Sequence, residues 1–259
     1  MRRLRHLTGQ HRTAATNRQL GSLLAFNAGA INAGGFLLIS LYTSHMTGFA
    51  SMLADNLVLG NMKLVAAAVG ALLAFTTGAA FTAVMVNWSR QHWLRSEYAL
   101  PLLVEAVLLL IFGLMGATLS RQTPFAVPLT LLMLAFIMGL QNALVSKISS
   151  SQIRTTHMTG VITDLGIELG KLFYWNRTGS RIESRVRANR IKLRLYSTLL
   201  AMFITGGVVG ALGFKYVGFI WVVPLALVLL GISLPPLFAD WRRIHRLKRR
   251  KDLLAHHTP

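Results

Sequence analysis

The chain has 259 residues, of which 53% are hydrophobic and 14% charged, and its mean hydropathy is +0.52. This composition excludes a soluble domain with an ordinary surface and indicates an integral membrane protein. The formal net charge of +19 arises from Lys and Arg in the ends and loops, so the expected partners are anionic lipid headgroups and not nucleic acid. The absence of cysteine excludes disulfides and thiol chemistry.

Residues 1–19 form an Arg-rich segment without acidic residues, which leads into an apolar run of about 20 residues. A cleaved signal peptide has a shorter apolar core, so we predict a retained first span preceded by a basic cytoplasmic segment. A mitochondrial presequence has a similar composition and is the alternative.

Six apolar runs are long enough to cross about 30 Å of hydrocarbon, which takes roughly 20 helical residues. They lie at 20–40, 64–87, 98–119, 125–147, 193–214 and 216–238. Two further segments, 44–61 and 155–174, are less apolar and carry His, Asp, Asn and Glu side chains. We therefore predict an all-α membrane protein with six transmembrane helices and two short re-entrant or broken helices. Eight transmembrane helices, some short and some long, are the alternative.

A short string occurs twice in the chain, as SHMTG at 44–48 and as THMTG at 156–160. Its surroundings repeat as well: GAINA from Gly29 is echoed by GLQNA from Gly139, and Thr77-Gly78 is echoed by Thr205-Gly206. We predict two related membrane repeats at 20–119 and 120–239, followed by a basic cytoplasmic tail at 240–259. Three spans per repeat would turn the second repeat upside down, which is the inverted-repeat plan of many secondary transporters.

The distribution of Lys and Arg predicts the orientation. With six spans, both chain ends and the loops 88–97 and 147–192 face the cytoplasm, and only Lys63, Arg121 and Lys215 lie outside. The eight-span arrangement also obeys the positive-inside rule, although slightly less well. The expected location is the bacterial cytoplasmic (inner) membrane, with multiple spans and both termini in the cytoplasm.

Two stretches resemble a known family: GAINAGGFLLISLYTSHMTG from Gly29 and MGLQNALVSKISSSQIRTTHMTGVITDLGIEL from Met138. They are similar to the YoaK family of bacterial membrane proteins, catalogued as domain of unknown function 1275. The resemblance covers nearly the whole chain between residues 20 and 238. The family commonly has Asp at the position of Asn32 and Asn at that of Phe49, so no proton-coupling or polar role is carried over to the first repeat. The resemblance implies no activity.

The two Thr-Gly breaks predict where a solute would bind. Thr47 and Thr159 are predicted N-caps of short helices, whose amino ends would point at the membrane midplane and favour an anion or a carboxylate. Close helix packing by Gly and Thr is the competing interpretation, and hydrogen bonding between helices is the alternative for the polar side chains. The predicted substrate-binding residues are Asn27, Asn32, His45, Thr47, Gly48, Gln141, Asn142, Thr155, Thr156, His157, Thr159 and Gly160.

Four of the eight acidic residues fall in membrane-embedded sequence: Asp55, Glu105, Asp164 and Glu168. Ionisable groups at that depth are costly and mark ion paths or proton relays, so these four are the predicted coupling residues. Asp164 is the first choice and Glu105 the second, whereas Asp55 and Glu168 could instead lie near the headgroups. The counterpart of Glu105 in the second repeat is predicted to be aliphatic, around Val228.

These patterns together favour a secondary transporter, driven by protons, of a small solute that could be an anion. A channel and a non-transporting scaffold or lipid-binding protein are the alternatives. An enzyme is not expected, because the chain has no HExxH or GxSxG motif and no dense His cluster. No metal or cofactor is expected, and a homodimer is left open. The tail Arg242–Lys251 predicts an amphipathic helix on anionic lipid.

Overall fold

A computed structural model describes residues 8–9, 13–92, 94–118, 126–149, 153–176 and 185–255, with side chains at all of these except 115–118, 126 and 248–255. Arg121 and most of the loop after 176, which was predicted to be cytoplasmic, therefore lie outside the described residues. Within this part the chain is helical. The helices are α1 (Ala14–Ile39), α2 (Met46–Leu59), α3 (Met62–Gln91), α4 (Ala99–Thr118), α5 (Ala126–Ile148), α6 (Met158–Phe173), α7 (Arg190–Tyr216), a 3-10 turn (Gly218–Trp221) and α8 (Val222–Ala255).

Five helical segments are long and apolar enough to cross a membrane: Ala14–Ile39, Met62–Gln91, Val127–Ile148, Arg190–Tyr216 and Gly218–Leu247. The remaining predicted span is α4, an apolar helix of 20 residues. Its part with described side chains, Ala99–Leu114, is shorter than the five long segments. The two less apolar segments form separate short helices, α2 with 14 residues and α6 with 16. An all-α protein with several membrane spans is therefore confirmed.

The short helices begin earlier than predicted. His45 and His157 are their N-caps, with nearly the same backbone angles (φ −91°, ψ 70° and φ −83°, ψ 58°), and neither side chain makes a capping hydrogen bond. The prediction that Thr47 and Thr159 are N-caps was wrong, because the chain already becomes helical at Met46 and Met158. Both threonines lie in the first turn, one residue before the glycine.

Two helix pairs form the closest contacts, α1 with α7 and α3 with α5. In the first pair, a Cβ on Gly29 would overlap the backbone of Phe203, and a Cβ on Gly206 would overlap the backbone of Phe26. In the second pair, Gly78 and Gly139 take the same positions against the backbones of Phe136 and Phe75. Glycine is required at these four positions because the helix backbones touch there.

Contacts along the helices give their relative directions. Helices α1 and α7 are parallel, since Ala30 meets Gly210 and Gly34 meets Phe214 one turn further along both helices. Helices α3 and α5 are parallel as well, with Gly70 close to Leu132 and the Thr82 hydroxyl donating to the Leu140 carbonyl at 2.9 Å.

Helices α1 and α5 are antiparallel. The Asn17 side-chain amide donates to the Ile148 carbonyl at 3.2 Å, and near the opposite end of α1 Gly35 lies against Leu134. Helices α4 and α8 are also antiparallel, because Ser96 bonds Asp240 at one end and Gly113 approaches Val222 at the other. The main core lies between these four helices, whereas α3 and α7 expose apolar side chains such as Val84 and Ile204 to the outside.

Candidate functional site

The two breaks have the same local structure. From Thr43 to Gly48 and from Thr155 to Gly160, buried, half-buried and exposed residues follow each other in the same order. A Cβ on Gly48 would lie 2.6 Å from Nδ1 of His45, and a Cβ on Gly160 would overlap Nδ1 of His157. Each glycine therefore makes room for the imidazole of the N-cap histidine, which explains the spacing of three residues between His and Gly.

Asn32 fixes the first break against α1. Its Oδ1 accepts hydrogen bonds from the backbone N–H of Ser44 at 3.2 Å and from the Ser44 hydroxyl at 2.9 Å. Because Asn32 lies about two turns before the end of α1, the chain turns back along α1 before α2 begins.

The second break contains unsatisfied polar atoms. Oδ1 of Asn142, at the position corresponding to Asn32, is buried without a hydrogen-bond partner in the described part of the protein. The hydroxyls of Thr43 and Thr155, which correspond to each other in the two repeats, are likewise buried and unpartnered there. Buried polar atoms are normally satisfied, so unpaired ones at a break are the atoms that a solute or water would satisfy.

Two of the predicted solute-binding residues, Asn27 and Gln141, bind a buried carboxylate, Glu105. The side-chain amides of Asn27 in α1 and Gln141 in α5 both donate to Oε1 of Glu105 in α4, at 3.2 Å and 2.5 Å respectively. Glu105 and Gln141 are 0% exposed and Asn27 is 4% exposed. We call these three residues the carboxamide cluster. The sequence singled out each residue but gave no signal that they lie together.

The position corresponding to Glu105 follows from burial. Buried residues of α4 at 102, 105, 106, 109, 112 and 113 repeat in α8 at 222, 225, 226, 229, 232 and 233. This register pairs Glu105 with Leu225, which is buried, and not with Val228, which is 48% exposed. The residue that corresponds to Glu105 is thus aliphatic, as predicted, but it is Leu225, about one helical turn before Val228.

The other predicted coupling acids are spread over the short helices. Asp55 is exposed on α2, and Asp164 is exposed on α6, where its carboxylate lies near Tyr196 of α7. Glu168 is only 4% exposed; it pairs with Lys171 at 2.9 Å and accepts the backbone N–H of Asn189 at 2.7 Å. Glu168 therefore joins α6 to the residue that caps α7.

One polar cluster was missed from the sequence. Ser96 donates both its backbone N–H and its hydroxyl to Oδ2 of Asp240, at 2.9 Å and 2.5 Å, which ties the start of α4 to α8. Beside it, Arg90 pairs with Glu97 at 2.5 Å and donates to the Tyr98 hydroxyl at 3.1 Å. The available signal was that two of only eight acidic residues, Glu97 and Asp240, stand just outside the ends of predicted apolar runs. Among the described residues, no group of three or more His, Asp or Glu side chains could hold a metal ion.

Comparison with known proteins gives a family and one curated relative. Residues 20–234 match the family described as "Protein of unknown function (DUF1275)". The chain is 26% identical over 220 residues to the UPF0700 transmembrane protein YoaK of Bacillus subtilis (strain 168). The matched region covers 83% of this chain and 92% of that protein. No solved structure matches the chain.

Proposed function

The chain belongs to the DUF1275 family, and on that premise we propose that it is a secondary transporter of a small solute. In this proposal two inverted repeats of three crossing helices, each with a short re-entrant helix, hold the solute between the two Thr-Gly breaks. The protein lies in the bacterial cytoplasmic membrane with both termini in the cytoplasm.

The observation that carries this proposal is the set of helix directions. If all eight helices crossed the membrane in turn, α1 and α5 would point the same way, and so would α4 and α8. Both pairs are antiparallel. Six crossings, with α2 and α6 turning back, give the two antiparallel pairs and also the parallel pairs α1 with α7 and α3 with α5.

The packing of the two halves supports a two-fold relation between them. Helix α1 contacts α7 as α5 contacts α3, through glycines at corresponding positions. Buried residues of α1 at 24, 25, 27–31, 34 and 35 recur in α5 exactly 110 positions later, at 134, 135, 137–141, 144 and 145. An odd number of crossings per half makes such a relation an inversion.

The halves nevertheless differ in one contact, which is what alternating access requires. Helix α4 packs against α5, whereas α8, its counterpart, has no comparable contact with α1 among the described residues. Each of two related halves can adopt the arrangement that the other half has. When the halves change places in this way, a site between them opens to the other side of the membrane.

The chemistry of the breaks favours a polar or anionic solute. The first-turn N–H groups of a helix have no partner within the helix, and the dipole places partial positive charge there. The unpaired hydroxyls of Thr43 and Thr155 precede the first residues of these helices by three positions, and the N–H of Met46 itself donates to the Ser44 carbonyl at 3.2 Å. A carboxylate or other small anion would satisfy both kinds of donor.

Coupling to protons would use the membrane-embedded carboxylates. Glu168 is held in an ion pair with Lys171, so Asp164 beside Tyr196 and the buried Glu105 are the stronger candidates. We expect solute flux driven by a pH gradient to be lost in Asp164→Asn or Glu105→Gln. Unchanged flux in both variants would leave a uniporter or a channel.

Anionic lipids are the proposed partners of the basic ends. Helix α8 continues beyond its apolar part, and there Trp241, Ile244 and Leu247 are exposed at spacings of three residues. Arg242, Arg243 and Arg246 lie between them. Such a face can lie on a headgroup layer, with apolar side chains inserted and the guanidinium groups at phosphates.

Cysteine labelling tests the topology, because the chain has no cysteine of its own. Lys63→Cys stands in the first turn of α3, next to the connection from α2, and Arg90→Cys stands at the end of α3. Six crossings predict that a membrane-impermeant reagent labels Lys63→Cys from outside and Arg90→Cys from the cytoplasm. Eight crossings predict the reverse at both positions, so that pattern would refute the proposed architecture.

Substitution at the breaks tests the solute site. Gly48→Leu and Gly160→Leu would displace the histidine rings and fill the space beside the helix amino ends, so we expect uptake to be lost while membrane insertion is retained. Gly166→Leu is the matched control, because nothing lies within 4 Å of a Cβ there. Loss of insertion in both break variants would show that these glycines serve packing instead.

A further inference from the structure

The carboxamide cluster leaves two oxygen atoms without a hydrogen bond. Both donors, from Asn27 and Gln141, are directed to Oε1 of Glu105. Oε2 of Glu105 and Oε1 of Gln141 are buried and have no partner in the described part of the chain. A fully buried carboxylate thus has one oxygen satisfied twice and the other not at all.

The helices around Glu105 supply no positive charge to it. Helices α1 and α5 contribute the neutral amides of Asn27 and Gln141, and α8 contributes the apolar Leu225 and Leu229. The nearest described charged residue along the chain is Glu97, about two helical turns before Glu105, and it pairs with Arg90 of α3. An ionised carboxylate without a cation is costly in such a place, so the site calls for a positively charged ligand.

The number of oxygen atoms decides which ligand fits. Hard metal cations take about six or more oxygen ligands, whereas the described cluster offers one carboxylate and two amide side chains. A proton needs only one oxygen, and Oε2 is free to take it. A protonated Oε2 would become a donor next to side chains that already present an unpaired acceptor, Oε1 of Gln141.

We propose that Glu105, with Asn27 and Gln141, is a proton-binding site in which Oε2 takes up and releases the proton while the two amides hold Oε1. The proposal deepens the proposed transporter, on which its biological meaning rests, by choosing Glu105 over Asp164 as the proton-binding residue and by naming the two amides that hold it. Proton binding itself can be measured without a solute.

The internal repeat shows that this site is not a packing requirement. The positions corresponding to Asn27, Glu105 and Gln141 are Ile137, Leu225 and Ile31, and all three are buried in the main core. The polar set and the aliphatic set each take residues from both halves, and they occupy corresponding helix positions in the two-fold relation. Among the described residues this polar cluster occurs once, on the side where α4 packs against α5.

Infrared spectroscopy of the purified full chain in lipid nanodiscs tests the proposal. We expect the wild-type spectrum to contain the C=O band of a protonated carboxyl, and this band should disappear as the pH is raised. The band should be absent from Glu105→Gln at every pH and should be retained in Asp164→Asn. Gln141→Leu keeps the carboxyl but removes a donor from Oε1, so the band should remain and shift in frequency. This second variant makes the assignment testable even if Glu105→Gln does not fold.

Three results would overturn the proposal. The first is that every carboxyl band of the wild-type spectrum is still present in Glu105→Gln. Another is a band that follows the concentration of Na⁺ or Mg²⁺ at constant pH, which would indicate a metal cation. The third is a band left unshifted by Gln141→Leu. None of these results depends on uptake, so they are distinct from failure of the transporter proposal, which the labelling and break variants report.

Discussion

Gly206→Ala tests the close contact between α1 and α7. The added Cβ would overlap the carbonyl oxygen of Phe26 and lie 2.7 Å from its carbonyl carbon and 2.8 Å from its Cα. These are backbone atoms of a helix, so no side-chain rotation can relieve the overlap and the two helices must separate. Overpacking of this kind costs about 1–3 kcal/mol, and we expect the upper part of that range.

The neighbouring residue provides the control. A Cβ on Gly207 would meet only the Gly29 carbonyl oxygen, at an ordinary distance of 3.8 Å. The gain in helix propensity from Gly to Ala is the same at both positions, so the difference between Gly206→Ala and Gly207→Ala reports the overlap alone, about 2–3 kcal/mol. The assay is equilibrium unfolding of the full chain in mixed micelles. Equal stability of the two variants would refute the assigned helix contact.

Two further variants test the links at helix ends. Glu168→Gln should lower the unfolding temperature, because it weakens the bonds to Lys171 and to the backbone of Asn189. Asp55→Asn, on the exposed face of α2, is the control and should leave the unfolding temperature unchanged. Equal unfolding temperatures for the two variants would contradict the role of Glu168. Ser96→Ala should cost about 1–3 kcal/mol in denaturant unfolding, since it removes a hydroxyl donor from the buried Asp240 carboxylate, and an unchanged midpoint would speak against that link.

The helices could be predicted from the sequence, because the length of an apolar run is a local property. The start of α2 at Met46 could not, since Ser44, which precedes the N-cap His45, is held by bonds to Asn32 in another helix. The rotation of each membrane helix was also hidden. Lipid-facing and core-facing residues are both apolar there, so periodicity does not show which face is buried.

The same limit explains the carboxamide cluster. Asn27 and Gln141 were expected at the breaks because each lies near an Asn, Asn32 or Asn142, that precedes a break. Their partner Glu105 belongs to a different helix, 78 and 36 residues away in the chain. Only the packing of α1, α4 and α5 brings the three together, and no pattern within a single helix carries that information.

The stability of an apolar replacement distinguishes a functional cluster from a structural one. Glu105→Leu alone should destabilise the protein, because it leaves the amides of Asn27 and Gln141 buried without their acceptor, at about 1–3 kcal/mol each. The triple variant Asn27→Ile, Glu105→Leu, Gln141→Ile removes the polar groups of the cluster and copies the residue types of the corresponding positions, Ile137, Leu225 and Ile31.

Replacing a buried polar cluster with apolar side chains of similar volume is often neutral or stabilising, by about 1–4 kcal/mol. We therefore expect the triple variant to unfold at or above the wild-type denaturant midpoint, clearly above Glu105→Leu, and to lack the carboxyl band. A triple variant less stable than Glu105→Leu would mean that the fold itself needs these polar side chains. The unequal filling of corresponding positions would then be a consequence of packing, with no proton to bind.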